Sequence, residues 1–74
     1  MSNKSALHVN YEYIVKLVEE NSKVLDLGSG DGSLLKMLKD RKNVYGKGIE
    51  IDPNCVIESI QKGVSTIQGD IDEG

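Results

Sequence analysis

Three glycines at alternate positions, Gly28, Gly30 and Gly32, follow the apolar run Val24-Leu25-Asp26-Leu27 and precede the helical pattern Leu34, Leu35, Leu38. A strand that ends in a glycine turn and passes at once into a helix lets backbone approach a ligand. The helix end adds unpaired N–H groups. Carboxylates surround this loop in the sequence: Asp26 before it, Asp31 inside it, Glu50 and Asp52 further on, and Asp70 beyond those. Glu50 falls near the offset of about 20 residues at which a ribose-binding carboxylate follows a glycine loop. A carboxylate accepts two hydrogen bonds from a vicinal diol, a geometry few other side chains match. Asp70 would accept from an exocyclic amine of a base, with Ile51 and Ile71 packing on its faces. The residues together outline one wall of an adenosine pocket.

The loop chemistry bears on which adenosine compound is held. Dinucleotide sites use Gly-x-Gly-x-x-Gly and seat a pyrophosphate on the helix N-terminus. Here the spacing is Gly-x-Gly-x-Gly, with Asp31 inside the loop. A carboxylate there would repel a pyrophosphate and suit a ligand carrying an amine or a sulfonium. S-adenosylmethionine is therefore the expected cofactor and NAD the alternative. Asp26 is costly inside an apolar strand unless something pairs with it. Its expected role is first structural, accepting hydrogen bonds from the glycine-loop backbone, and then shaping the loop around the ligand.

These residues need strands and helices to bring them together. Residues 1–9 read as a flexible arm, and His8 within it as a surface or interface histidine. Asn10 is placed to cap a helix whose apolar stripe is Tyr11, Ile14, Leu17 and Val18, with Asn21-Ser22 as its stop. Residues 23–27 form the first strand. A helix over about 31–42 follows, capped by Asp31 or Ser33, with Leu34, Leu35, Leu38 and Met37 apolar. Its later turns carry Lys36, Lys39, Arg41 and Lys42, which suits the helix dipole better than an anion site. Residues 44–51 form a second strand whose Gly46 and Gly48 permit close backbone packing. Asp52-Pro53 starts the next helix, with Val56, Ile57 and Ile60 as its buried face and Gly63 as its stop. Residues 64–68 give a third strand. Strands alternating with helices call for a parallel sheet, hence a Rossmann-like three-layer α/β sandwich. The strand ends that carry the glycine loop, Glu50 and Asp70 are where such sheets bind ligands.

Composition narrows the classes. The chain has 74 residues, 38% of them hydrophobic and 28% charged, which fits an ordinary globular domain. Its net charge of −3 and its scattered basic residues argue against a nucleic-acid surface. Three Tyr without Phe or Trp make no base-stacking platform. A single cysteine, Cys55, excludes an intramolecular disulfide, and its surroundings match no metal site or nucleophile pair. With no signal-peptide pattern and no run of about 20 apolar residues, a cytoplasmic protein without membrane contact is expected.

The run Val24-Leu25-Asp26-Leu27-Gly28-Ser29-Gly30-Asp31-Gly32 resembles the first motif of the class I S-adenosylmethionine-dependent methyltransferases. Gly48-Ile49-Glu50-Ile51-Asp52 is similar to their second-strand acidic motif, and Gly69-Asp70-Ile71 to their adenine-contacting segment. More narrowly, Gly28 to Leu35, Gly48 to Pro53, Gly63-Val64 and Ile67 to Gly74 resemble the MetW-type methionine biosynthesis proteins, a likeness that spans nearly all of 23–74. Ser29 departs from that pattern, which more often has Cys. The resemblance implies that Asp26, Gly28 and Gly30 frame the methionine end of the cofactor, that Glu50 holds the ribose, and that Asp70 and Ile71 address the adenine. It also implies a partnership with homoserine O-acyltransferase. Family members would either transfer a methyl group or serve as non-catalytic regulatory subunits of that enzyme. By the same resemblance, 10–74 is the N-terminal half of a methyltransferase domain, truncated after its third strand, with the first strand at an open edge. No residue in it is a credible general base, and alone it is expected to be inactive.

Overall fold

Residue parity decides the layers. The computed structural model describes residues 10–70 and orders the elements as α1 (Tyr11–Leu17), β1 (Lys23–Leu27), α2 (Ser33–Lys42), β2 (Tyr45–Glu50), α3 (Pro53–Gln61) and β3 (Ser65–Gln68). The arm expected over 1–9, His8 within it and Ile71 all lie outside the described residues. The three strands form a parallel sheet in the order β1-β2-β3. The pairing sets Val24 beside Gly46, Asp26 beside Gly48 and Gly48 beside Thr66, so even-numbered positions share one face. That face meets the helices: Leu35 of α2 lies against Gly46, where an added Cβ would come within 2.8 Å of it. The core is Val15, Leu35, Leu38, Val44 and Val64, with Val18, Val24, Leu34 and Met37 packed around it.

Odd-numbered positions point the other way. Leu25 and Leu27 on the edge strand β1 stay 60% and 53% exposed, and Tyr45 and Ile67 are exposed beside them. The α/β class, the parallel sheet and the open first strand are those expected. Among the described residues the sheet carries helices on its even face only.

Element boundaries follow local chemistry. Asn10 caps α1, its Oδ1 accepting from the N–H of Glu12 at 3.0 Å and of Tyr13 at 3.4 Å. Asp52 caps α3 through the Asn54 N–H at 2.9 Å, with Pro53 in the first turn. At the other end of α3, Gly63 has φ +82 and donates to the Ile60 carbonyl, and Val64 donates to the Ser59 carbonyl. That pair of bonds is a Schellman closure, and it delivers the buried Val64 to the start of β3.

Two helices bury only part of the face expected. On α1 the buried residue is Val15, with Ile14 and Val18 half-buried, while Tyr11 and Leu17 are exposed. The helix also stops at Leu17, ahead of Asn21-Ser22, because Val18 is extended. On α3, Val56 and Ser59 are buried, and Ile57 and Ile60 lie outside at 54% and 57% exposure. The physical reason is space. The helix rides directly over the glycine loop, and only a small side chain fits there: a Cβ at Gly32 would stand 2.7 Å from the Ser59 Oγ.

The basic end of α2 has partners within the chain. Lys36 pairs with Asp40, Arg41 with Glu12, Lys39 with the Gly63 carbonyl and Lys42 with the Val18 carbonyl. These cations close helix and loop ends, as their position at the negative end of the dipole suggests.

Candidate functional site

The glycine loop sits at the carboxyl end of β1, and its conformation needs its glycines. Gly28, Gly30 and Gly32 all have positive φ, +74, +61 and +83, a region in which side-chain-bearing residues are strained. Alternation with Ser29 and Asp31 therefore follows from an alternation of backbone hand. Ser29 is buried, and its Oγ has no hydrogen-bond partner among the described residues. It lies in contact with Gly48, where any Cβ would collide with that Oγ.

Most of the loop's donors are already engaged by acceptors of the chain. Gly28 and Ser29 give their N–H groups to the Ile49 carbonyl, at 2.7 and 3.2 Å, and Gly32 gives its own to the Ser29 carbonyl. Gly30 donates to the Glu50 Oε1 at 2.7 Å. The N–H of Ser33, at the start of α2, donates to the Asp31 Oδ1 at 3.0 Å. One N–H at the start of α2 is thus taken by a carboxylate from within the chain, while the cap position itself is Gly32 rather than the expected Asp31 or Ser33.

Glu50 is the junction of the site. Its Oε1 accepts from Gly30, and its Oε2 accepts from the Asp52 N–H at 3.0 Å. Two backbone donors from two elements therefore fix the plane of the carboxylate. Each oxygen keeps a second lone pair. The Glu50 carbonyl in turn accepts from the Gly69 N–H at 3.0 Å, which draws the end of β3 alongside. Gln68 donates to the Ile51 carbonyl at 3.3 Å, tying the same strand end to the β2 exit. Ile51 and Asp70 are exposed at these ends. The loop, Glu50 and the start of Asp70's segment thus share one edge of the sheet.

Asp26 departs from its expected role. The loop's N–H groups go to Ile49, Ser29, Glu50 and Asp31 rather than to Asp26. Asp26 lies half-buried on the same face as Glu50. Burial, and then the Glu50 charge, push its carboxyl above the usual aspartate range. Asp31 is shifted the other way. Hydrogen bonds from Ser33, followed by the Lys62 ammonium at 3.1 Å, hold it below that range.

Two residues on α3 and just after it reach the loop without having been singled out from the sequence. The Ser59 Oγ donates to the Gly30 carbonyl at 3.2 Å, and Lys62 Nζ donates to the Asp31 carbonyl at 2.8 Å. The available signal was the stripe Val56, Ser59, Lys62 at three-residue spacing, which hydrophobicity alone ranks below Ile57 and Ile60. Cys55 is half-buried, and desolvation with the carboxylates of Asp52, Glu50 and Glu58 pushes its thiol up. A nucleophilic thiolate needs the opposite environment. No group of three or more His, Cys, Asp or Glu among the described residues is placed to hold a metal.

Solved structures share this arrangement of strands and helices. An RNA methyltransferase from Salinibacter ruber, crystallised with S-adenosyl-L-homocysteine, is 32% identical with a TM-score of 0.74, over 86% of this chain and 48% of that one. An S-adenosylmethionine-dependent methyltransferase from Thiobacillus denitrificans, also with S-adenosyl-L-homocysteine, is 24% identical with a TM-score of 0.75, over 90% of this chain and 34% of that one. The fold is that of the Rossmann-like methyltransferases. A curated relative, the bifunctional methionine biosynthesis protein MetXA/MetW of Rhodopirellula baltica, is 30% identical over 92% of this chain. The chain spans 12% of that relative's length. The family model described as "Methionine biosynthesis protein MetW" matches residues 8–74, and the chain belongs to that family.

Proposed function

We propose that this chain supplies an S-adenosylmethionine-binding site to a methyltransferase-like protein of methionine biosynthesis. The observation that carries the reading is Glu50. Its carboxylate is oriented by the Gly30 and Asp52 amides, and the second lone pair of each oxygen is left for the two hydroxyls of a ribose. Gly28, Ser29, Gly30, Asp31 and Gly32 shape the wall beside the methionine end, with Asp26 beneath. Ile51, Asp70 and Ile71 are assigned to the adenine. The S-adenosyl-L-homocysteine bound by the two solved methyltransferases supports the same ligand class.

The loop also favours this ligand over NAD. A pyrophosphate needs open N–H groups at the helix N-terminus. In this chain Asp31 takes the Ser33 N–H and Glu50 takes the Gly30 N–H, so two carboxylates stand where a phosphate would. S-adenosylmethionine brings a sulfonium and an ammonium instead.

The test is calorimetric titration of the full-length protein with S-adenosylhomocysteine, with NAD as competitor. Binding that NAD does not displace supports the reading, and displacement by NAD overturns it. A second role, association with homoserine O-acyltransferase, is supported by the R. baltica relative, which carries MetXA and MetW in one polypeptide. Co-purification of that enzyme with the full-length protein, its activity unchanged by Gly30→Val, would mark a regulatory subunit. Loss of the effect in Gly30→Val would tie the partnership to the cofactor.

A further inference from the structure

We propose that Ser59 and Lys62 are positioning residues for the cofactor site, holding the carbonyl edge of the glycine loop so that its other edge faces the ligand. This rests on the S-adenosylmethionine reading and adds to it a second set of residues, drawn from the far end of α3.

The argument starts with the peptide units of the loop. Gly30 and Gly32 lack a Cβ, so the peptides beside them turn at little steric cost. Such a peptide can offer a ligand its N–H or its C=O, which carry opposite partial charges. In this chain the choice is fixed. The Ser29–Gly30 peptide gives its N–H to Glu50, and the Gly30–Asp31 peptide gives its carbonyl to Ser59 Oγ. The next carbonyl, that of Asp31, accepts from Lys62 Nζ at 2.8 Å, and the same ammonium meets the Asp31 carboxylate at 3.1 Å. Two successive carbonyls are therefore held by Ser59 and Lys62; across a trans peptide this turns the Asp31 N–H to the opposite edge, while the Gly32 N–H goes to the Ser29 carbonyl. Ser59 is fully buried, and its backbone stands 3.2 Å from where a Gly32 Cβ would lie. The serine thus fills the space behind the loop as well as bonding to it.

The placement of Lys62 adds a charge effect. Without it, the Asp31 carboxylate at the N-terminus of α2 would be held by Ser33 alone. With it, that carboxylate is pinned at a set position beside the loop, where the cofactor brings its ammonium. Lys62 is reachable because Gly63, with φ +82, turns the chain immediately after it and ends the helix there.

The experiment measures S-adenosylhomocysteine affinity and thermal midpoint together, in the full-length protein. The variants are Lys62→Met, Lys62→Arg, Ser59→Ala and, as a control for charge loss elsewhere on the surface, Lys16→Met. At a temperature well below every midpoint, Lys62→Met raises Kd about 5- to 10-fold and Ser59→Ala about 3-fold or more, the range of one lost hydrogen bond. Lys62→Arg restores binding to near the wild-type value, and Lys16→Met leaves it unchanged. A lower midpoint in Lys62→Met and Ser59→Ala with wild-type Kd would show bracing of the fold alone and overturn the proposal, as would failure of Lys62→Arg to rescue. Absence of binding by the wild-type protein would overturn the cofactor reading itself, and this proposal with it.

Discussion

Glu50 and Asp26 are carboxylates on one face of the sheet, and their surroundings give them different work. Glu50 has a backbone amide on each oxygen. On the proposed reading it also holds the ribose, and replacing it with Ala would remove two charge-assisted hydrogen bonds to that sugar, each worth about 1.5–3 kcal/mol. S-adenosylhomocysteine affinity is expected to fall by at least about tenfold by calorimetry. Asp26 is raised by burial and by Glu50. Its protonated form is the one the fold prefers, so the folded state holds its proton to higher pH than the unfolded chain. Its contribution to stability therefore declines as pH rises from the usual aspartate value of 3.8 through the raised folded value. Asp26→Asn should stabilise the protein at neutral pH and flatten that part of the pH profile in denaturant titrations. Asp31 has the opposite sign, because its folded value is depressed. Its stabilising effect is complete above the usual aspartate value of 3.8 and is lost as pH falls through the lower folded value.

At the scale of elements, β2 is built around what approaches it. Gly48 lies between Asp26 and Thr66 in the sheet and under the side chain of Ser29. Gly48→Ala should therefore destabilise by about 1–3 kcal/mol through overpacking, read as a lower urea midpoint. Ser29→Ala should act in the other direction. It removes a buried hydroxyl with no partner among the described residues, whose burial costs about 1–3 kcal/mol. A gain in stability, read as a higher urea midpoint, is expected. The sequence showed where these elements lie. The Asn10 and Asp52 caps, the Pro53 start and the Gly63 stop are local chemistry, legible without tertiary structure. The buried faces of α1 and α3 were legible only in part, Val56 being buried as expected and Ile14 and Val18 half-buried, because a hydrophobic stripe identifies which residues prefer burial and not which neighbour awaits them. On α3 that neighbour is a glycine loop with room for a serine, and the isoleucines were left outside.

For the whole molecule, the division between even and odd strand positions separates a packed face from an open one. Leu38, 1% exposed, belongs to the core, whereas Leu25 is 60% exposed on the opposite side of the sheet. Leu38→Ala should cost about 2–5 kcal/mol, and Leu25→Ser in this same chain should stay within about 0.5 kcal/mol. Denaturant titration of the two variants distinguishes the faces. The carboxyl end of the sheet is the part of the molecule where sequence motif and geometry converge. Spacing alone marked Glu50 as the candidate for the ribose, but the contact its carboxylate makes with Gly30 required a pairing register that spacing does not contain. The expected bonds from the loop to Asp26 failed for the same reason: Ile49 and Glu50, from the adjacent strand, reach those amides first.

The most direct test is a pair of titrations of the full-length protein, wild type and Glu50→Ala, with S-adenosylhomocysteine. The account predicts saturable one-site binding by the wild type, weakened at least about tenfold in the variant when both are titrated well below their thermal midpoints, the variant's midpoint being lowered by loss of the bonds to Gly30 and Asp52. Equal affinity in the two proteins would contradict it.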